Sequence, residues 1–292
     1  MKDTPTKKKL IVTGAGGQLG LELQALSSNF PEFEFIFLQR SDLDITDVHA
    51  LSSVFSQYLP AFCVNCAAYT AVDKAESERK EAFRVNADAV GIIASCCGNY
   101  GVRLVHISTD YVFDGNSEKP LTENDTVSPL NVYGESKLEG ERLAFKNNDQ
   151  TIVIRTSWVY SEFGNNFVKT MMRLMREKVS INVVADQIGS PTYAADLAAV
   201  VMQIVGHGAF TTGIFNYSNE GRISWFDFAI AIKRMTGSTC TVNPIPTSQF
   251  PTPARRPRFS LLDKRKIKMT YGIDPVYWET SLEICINRLR QN

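Results

Sequence analysis

Short apolar runs alternate with helix-spaced apolar positions through the first half of the chain. Leu10-Ile11-Val12-Thr13 predicts a strand, and Leu19, Leu23 and Leu26 follow at helical spacing. Phe35 to Leu38 predicts a second strand, Val48, Leu51 and Phe55 a helix, and Phe62 to Cys66 a third strand. Residues from about 75 to 100 read as helix, and Val102 to Ile107 as a fourth strand. Gly134 to Lys146 predicts a helix and Thr151 to Arg155 a fifth strand. Strands that are apolar on both faces and alternate with helices imply an α/β fold with a doubly wound parallel sheet. Its crossovers should be right-handed.

The second half reads differently. Phe167, Met171, Leu174 and Met175 mark one helix, Leu197, Val200, Val201 and Ile204 another, and Trp225, Phe228, Ile232 and Met235 a third. A Pro-rich, basic stretch follows from Pro244 to Arg258, and a last helix carries Trp278, Leu282, Cys285, Ile286 and Leu289 on one face. Too few strands appear here for a second doubly wound sheet. The expected division is a dinucleotide-binding domain at 1–158 and a mainly substrate-binding lobe at 159–292, with about 193–236 packing back on the first.

Composition narrows the class. The 292 residues carry 31 Lys+Arg against 31 Asp+Glu, a net charge of zero that argues against nucleic acid or an anionic membrane as partner. No window approaches a membrane span. The apolar stretch after the basic start at Met1 to Lys9 is too short for a signal-peptide core, so a cytoplasmic protein is expected. Cys63 and Cys66 form a CxxC, but residues three apart on a strand face opposite sides, which disfavours a shared metal or a bridge.

The first strand runs into Thr13-Gly14-Ala15-Gly16-Gly17-Gln18-Leu19-Gly20. Gly14, Gly17 and Gly20 give a GxxGxxG turn that opens a helix, where backbone N–H groups can meet a pyrophosphate. The second strand ends Leu38-Gln39-Arg40-Ser41, without the acid that would grip the ribose of NAD. Arg40 can face a 2′-phosphate or only stack on adenine. The first reading favours NADPH, with NADH as the second option. The whole pattern describes a Rossmann-type doubly wound parallel sheet with a smaller mixed α/β C-terminal substrate lobe.

Tyr133-Gly134-Glu135-Ser136-Lys137 places a phenol and an ammonium on one helix face. A Lys cation lowers a phenol's pKa toward useful proton transfer. Only one of the ten tyrosines has this spacing. The fourth strand leads to Ser108-Thr109-Asp110-Tyr111, and ligands of open α/β sheets bind beyond the carboxyl ends of strands. A hydroxyl from Ser108 or Thr109 should therefore lie near Tyr133, with Asp110 as a supporting hydrogen-bond partner. His106 reads as a satisfied structural histidine.

These features resemble the extended short-chain dehydrogenase/reductases. Longer segments resemble the dTDP-4-dehydrorhamnose reductase family: Asn65 to Glu76, Ser108 to Phe113, Ser128 to Gly134, Arg155 to Tyr160, Gly164 to Phe167, Gly189 to Thr192 and Pro251 to Pro257. The resemblance spans nearly the whole chain. It implies NADPH-dependent reduction of the C4 ketone of dTDP-4-dehydro-6-deoxy-L-mannose to dTDP-L-rhamnose. It also implies Tyr133 as proton donor, Lys137 on the nicotinamide ribose and Thr109 tuning the transfer. Thr109, Asp110 and Trp158 would touch the sugar. Gly17, Gln18, Leu19, Asp44, Ile45, Cys66, Ala67 and Ala68 would line the cofactor.

From Arg255 to Lys268 there are seven Lys/Arg and one acid, Asp263. The family match places Arg256 among the contacts to a sugar nucleotide, whose diphosphate suits a guanidinium. Two departures matter. Gln39 and Arg40 stand where some relatives place an acid. Some members hold a divalent metal with glutamates at a dimer contact, but only Glu22 keeps such a position and Ala195 occupies another, so no metal is expected. A monomer and a homodimer both remain open. The alternatives are a non-catalytic regulatory subunit like that of methionine adenosyltransferase, a reductase of another nucleotide-linked 4-keto sugar, and a dehydratase. The last lacks its Asp-Glu pair, because Tyr111 follows Asp110.

Overall fold

A computed structural model describes residues 7–291; the first six positions of the basic start lie outside it. The chain runs β1 (Lys8–Thr13), α1 (Gln18–Leu26), β2 (Phe33–Leu38), α2 (Val48–Tyr58), β3 (Phe62–Asn65), α3 (Val72–Ala75), α4 (Arg79–Phe83) and α5 (Ala89–Tyr100). It continues through β4 (Arg103–Thr109), α6 (Val132–Asn147), β5 (Thr151–Thr156), β6 (Val159–Tyr160), α7 (Phe167–Glu177), β7 (Ser180–Val184), β8 (Ile188–Gly189) and β9 (Thr192–Tyr193). The remainder is α8 (Ala194–Gly206), β10 (Gly213–Asn216), β11 (Ile223–Ser224), α9 (Trp225–Thr236), β12 (Thr241–Ile245), α10 (Arg265–Tyr271) and α11 (Trp278–Gln291).

Six strands form one parallel sheet in the order β10-β5-β4-β3-β1-β2. The direction of winding reverses between β1 and β3, which opens a crevice at their carboxyl ends. Alternate side chains bury on opposite faces. Leu10, Val12, Phe62 and Val64 pack with α1 and α8, while Ile11, Cys63 and Leu104 pack with α2 and α5. Cys63 and Cys66 accordingly lie on opposite faces.

β10 was not expected from the sequence. It has only four residues, Gly-Ile-Phe-Asn, too short to show a period, yet it completes the sheet beside β5. A second apolar cluster joins α7, α9 and α11 with Tyr160 and Tyr193, and holds Trp278, Leu282, Cys285 and Ile286 of the last helix.

The single helix expected over about 75–100 is broken into α3, α4, a π-type turn at Arg84–Asp88 and α5. The turn faces Asn86 inward. Its amide accepts from Tyr69 N at 2.8 Å, donates to Tyr69 O at 3.0 Å and donates to Ser136 Oγ at 3.0 Å. The irregular turn thereby pins the segment after β3 to α6. Such single-turn bulges recur at functional sites.

Candidate active site

The nucleotide end is built around Gly14, Gly17 and Gly20. Gly14 adopts φ +66°, and a Cβ there would strike the Ala67 backbone nitrogen. The turn after β1 therefore packs directly on the segment after β3. α1 begins at Gly17 without a side-chain cap, which leaves its first N–H groups free for an anion. An uncapped helix end at a winding reversal fits a dinucleotide pyrophosphate. Gln18 and Leu19 open this helix, and the Cys66–Ala67 backbone packs against the turn at Gly14, with Ala68 next in sequence.

Past β2, the Asp44 carboxylate accepts from Thr46 N at 2.9 Å and Thr46 Oγ1 at 2.7 Å. These bonds hold its pKa below the usual carboxylate range. Ile45 sits between them. Arg84 donates to Thr46 Oγ1 at 2.6 Å and forks onto Glu81 at 2.8 Å, so this guanidinium is committed. Arg40 is exposed, with no ion pair among the described residues, and its charge reaches Asp44 and Glu81. It is the guanidinium at this corner left open to a phosphate.

The catalytic end forms where β4 meets α6. Asn131 caps α6 by accepting from Gly134 N at 2.8 Å. A Cβ at Gly134 would strike the Tyr111 carbonyl oxygen, so glycine lets the helix start close against the Asp110–Val112 turn. Deeper in, Glu141 of α6 takes both Arg155 Nε at 2.9 Å and Nη2 at 2.7 Å, and accepts from Ser108 Oγ at 2.5 Å. This buried fork fixes the angle of α6 against β4 and β5. Of the two candidate hydroxyls, Ser108 is thus committed below the site.

Thr109 and Tyr133 are brought together. The Thr109 hydroxyl lies close enough to the phenol to lower its pKa, and it donates to Asp110 Oδ1 at 3.1 Å. Tyr111 packs edge-on against Tyr133, with ring centroids 5.8 Å apart. Burial pushes the Tyr133 pKa up to about 12, with the Asp110 carboxyl adding to the rise and Thr109 opposing it. Sequence reasoning expected Lys137 to lower this pKa. In the free protein burial outweighs any such effect, because Lys137 Nζ turns to Ile107 O at 2.6 Å. Burial also lowers Lys137 to about 8, against the opposing pull of Glu141 and Cys66. Asp110 rises to about 7, mainly through burial, and its Oδ2 has no hydrogen-bond partner.

Trp158 follows β5 in the left-handed region, φ +49°, an uncommon conformation for a bulky residue. Its indole stacks on Trp225 with centroids 3.8 Å apart and rests against Gly189. Sequence reasoning missed Trp225, which reads as an ordinary core position at helical spacing.

Arg256, expected at the diphosphate, is held by partners within the free protein. Its Nη2 meets Asp73 Oδ2 at 2.8 Å, and its Nη1 meets Asp73 Oδ1 at 3.0 Å, Thr252 Oγ1 at 2.5 Å and Ala254 O at 3.0 Å. The fork is occupied by a carboxylate from α3. Asp73 also accepts from Ala254 N at 3.2 Å, and Asn131 donates to Arg255 O at 2.7 Å. Arg256 thus clamps the Pro-rich segment to α3, and Asn131 ties the same segment to the start of α6. The missed partner, Asp73, lies 183 residues away in sequence.

Fold and site together define a Rossmann-type, nucleotide-dependent oxidoreductase of the extended short-chain dehydrogenase/reductase kind. A family model described as the RmlD substrate binding domain matches residues 8–291. The chain belongs to that family, the dTDP-4-dehydrorhamnose reductases. It is 42% identical over 286 residues to the dTDP-4-dehydrorhamnose reductase of Aggregatibacter actinomycetemcomitans, covering 94% of this chain and 97% of the relative. The crystal structure of a dTDP-4-dehydrorhamnose reductase from Clostridium acetobutylicum superposes with TM-score 0.93 at 41% identity, covering 97% of this chain and 99% of the other. The Bacillus anthracis dTDP-4-dehydrorhamnose reductase in complex with NADP gives TM-score 0.93 at 38% identity, with coverage of 97% and 99%.

Proposed function

We propose that this protein reduces the C4 ketone of dTDP-4-dehydro-6-deoxy-L-mannose to dTDP-L-rhamnose, using NADPH. The observation that carries the reading is the pairing of the Thr109 hydroxyl with the Tyr133 phenol beyond the carboxyl end of β4, in a chain similar to these reductases from end to end. NADPH, when bound, supplies the hydride to C4.

Tyr133 donates the proton to the C4 oxygen, and its raised pKa keeps it protonated and ready at neutral pH. Thr109 aligns that phenol. Asp110, poised near neutrality, meets a sugar hydroxyl. Trp158, braced by Trp225, offers a flat apolar wall. Lys137 holds the nicotinamide ribose. The free amides of Gln18 and Leu19, with Gly17 donating to the Gly14 carbonyl and Gly14 and Gly20 keeping the turn tight, hold the pyrophosphate. Asp44 and Ile45 flank the adenosine, Arg40 meets the 2′-phosphate, and Cys66, Ala67 and Ala68 form the inner wall. Residues 1–158 serve mainly the cofactor and 159–292 mainly the sugar nucleotide, with β10 and α8 returning to the sheet.

The test is to mix the protein with NADPH and enzymatically prepared dTDP-4-dehydrorhamnose, and to follow loss of reduced-nicotinamide absorbance. Chromatography should show dTDP-L-rhamnose as product. Consumption of a UDP-linked 4-keto sugar instead would replace the substrate, and no turnover with either would remove the activity.

A further inference from the structure

Thr13, Asn65, His106 and Lys137 form a buried polar line across β1, β3, β4 and α6, and its protons can be placed by elimination. Ala67 N donates to Asn65 Oδ1 at 3.1 Å, and the Thr13 hydroxyl donates to the same atom at 2.7 Å. A backbone N–H only donates, so this atom is the amide oxygen and the orientation of the Asn65 amide is fixed. Asn65 Nδ2 lies 3.1 Å from His106 Nδ1. An amide nitrogen also only donates, so Nδ1 must present a lone pair. A neutral imidazole with a bare Nδ1 carries its proton on Nε2. His106 is fully buried, and burial with the neighbouring Lys137 charge holds it well below its ordinary pKa, which keeps it neutral.

Nε2 faces Lys137 Nζ at 3.4 Å, while Nζ bonds the Ile107 carbonyl oxygen at 2.6 Å. An ammonium has no lone pair to accept the Nε2–H, whereas a neutral amine has one. The other groups around Nζ are Glu141 and Tyr133, each one turn away on α6, and Cys66 beyond β3. Glu141 is itself held by Arg155 and Ser108. Glu141 and Cys66 both favour the ammonium, so among these side chains the imidazole opposes it.

We propose that His106 is a positioning residue for the reduction. Asn65 locks it as the Nε2–H tautomer, and that N–H, turned on Nζ, favours the neutral amine of Lys137 and sets the pH range over which Lys137 carries its charge. This rests on the functional reading above only for its effect on turnover. The tautomer follows from the hydrogen bonds alone.

Two measurements test it. The chain has three histidines, so the protein labelled with 15N-histidine gives three imidazole patterns, and His106→Gln identifies the one from His106. The expected result is an Nε2–H tautomer with no imidazolium from about pH 6 to about pH 9. An Nδ1–H tautomer or an imidazolium in that range overturns the proposal. This measurement needs no turnover, so it stands or falls separately from the assigned substrate.

The second measurement is the alkaline limb of the kcat–pH profile. His106→Gln offers Nζ an amide oxygen, so the limb should move up by about one pH unit. A limb that stays in place while kcat or stability drops would make His106 merely structural. Should His106→Gln fail to fold, Asn65→Asp serves, since a carboxylate takes a proton from Nδ1 and reverses the tautomer. An Nδ1–H tautomer and a raised limb are then expected; an unchanged tautomer overturns the proposal.

Discussion

Glu22 offers a quantitative test of the electrostatics outside the active site. It lies on α1, 2% exposed, and accepts from Ser161 Oγ at 2.6 Å. Its carboxyl also shares a hydrogen bond with Glu162, which in turn holds Arg288 at 2.9 Å and Tyr193 Oη at 2.8 Å. Burial, with the Glu162 charge adding to it, raises Glu22 from 4.5 to about 7. Between those two values the folded protein keeps a proton that the unfolded chain has released. Stability from this group is therefore present in full at low pH and is lost as pH rises through that window. At about 1.4 kcal/mol per unit the ceiling is about 3 kcal/mol. The proton is shared with Glu162, whose own pKa falls, so about 2 kcal/mol is expected.

Glu22→Gln mimics the protonated form. Its amide oxygen can accept from Ser161 and its nitrogen can donate to Glu162. Urea unfolding followed by tryptophan fluorescence should show near-equal stability of the two proteins at about pH 4, below the unfolded pKa of Glu22. At about pH 8 the variant should be more stable by about 2 kcal/mol. The comparison between proteins cancels the contribution of Asp110, which titrates in the same direction, and of His106, which titrates in the opposite one. A variant destabilised equally at both pH values would refute a buried carboxyl with a shared proton.

Tyr133→Phe should lower kcat by about 10²- to 10⁴-fold with little change in NADPH affinity, measured by fluorescence titration; near-normal turnover would remove the proton-donor role. Arg40→Ala should weaken NADPH by roughly 10- to 100-fold and NADH hardly at all, and equal losses would point to adenine stacking. Arg256→Ala should lower stability by about 1 kcal/mol, because its half-exposed fork to Asp73 is bidentate but solvent-screened. Asp73→Asn should give a similar loss that does not add to it in the double variant. Unchanged stability with a raised KM would return Arg256 to the diphosphate.

The sheet was legible because β1 to β5 are apolar on both faces and evenly spaced between helices. The turn at Gly14 to Gly20 was legible because its glycines stand between a strand and a helix. Tyr133 and Thr109 could be paired in advance because open sheets gather ligands at one edge. What stayed hidden depends on partners distant in sequence. Arg256 reads as a phosphate ligand until Asp73 appears against it. Ser108 and Thr109 are equivalent by position at the strand end, and the Glu141–Arg155 fork shows in the structure which of them is committed elsewhere. The π turn at Arg84–Asp88 carries no period of its own, and β10 is too short for one.

Burial drives the titratable groups around the proposed site in one direction. Tyr133 rises to about 12, Asp110 rises to about 7 and Lys137 falls to about 8, so each moves toward its neutral form. For a ketone reductase this asymmetry has a chemical consequence. Adding hydride to C4 generates an alkoxide, a stronger base than a phenolate, so a phenol held at about 12 still donates downhill. The reverse oxidation needs the phenolate first, which at neutral pH is about 10⁻⁵ of the free protein at that pKa. Oxidation therefore depends on charge brought close to the phenol, and Lys137, turned to the Ile107 carbonyl, does not supply it in the free state. The same burial that leaves the phenolate scarce keeps Tyr133 loaded as an acid, so the site as folded holds the proton that reduction needs before any ligand arrives.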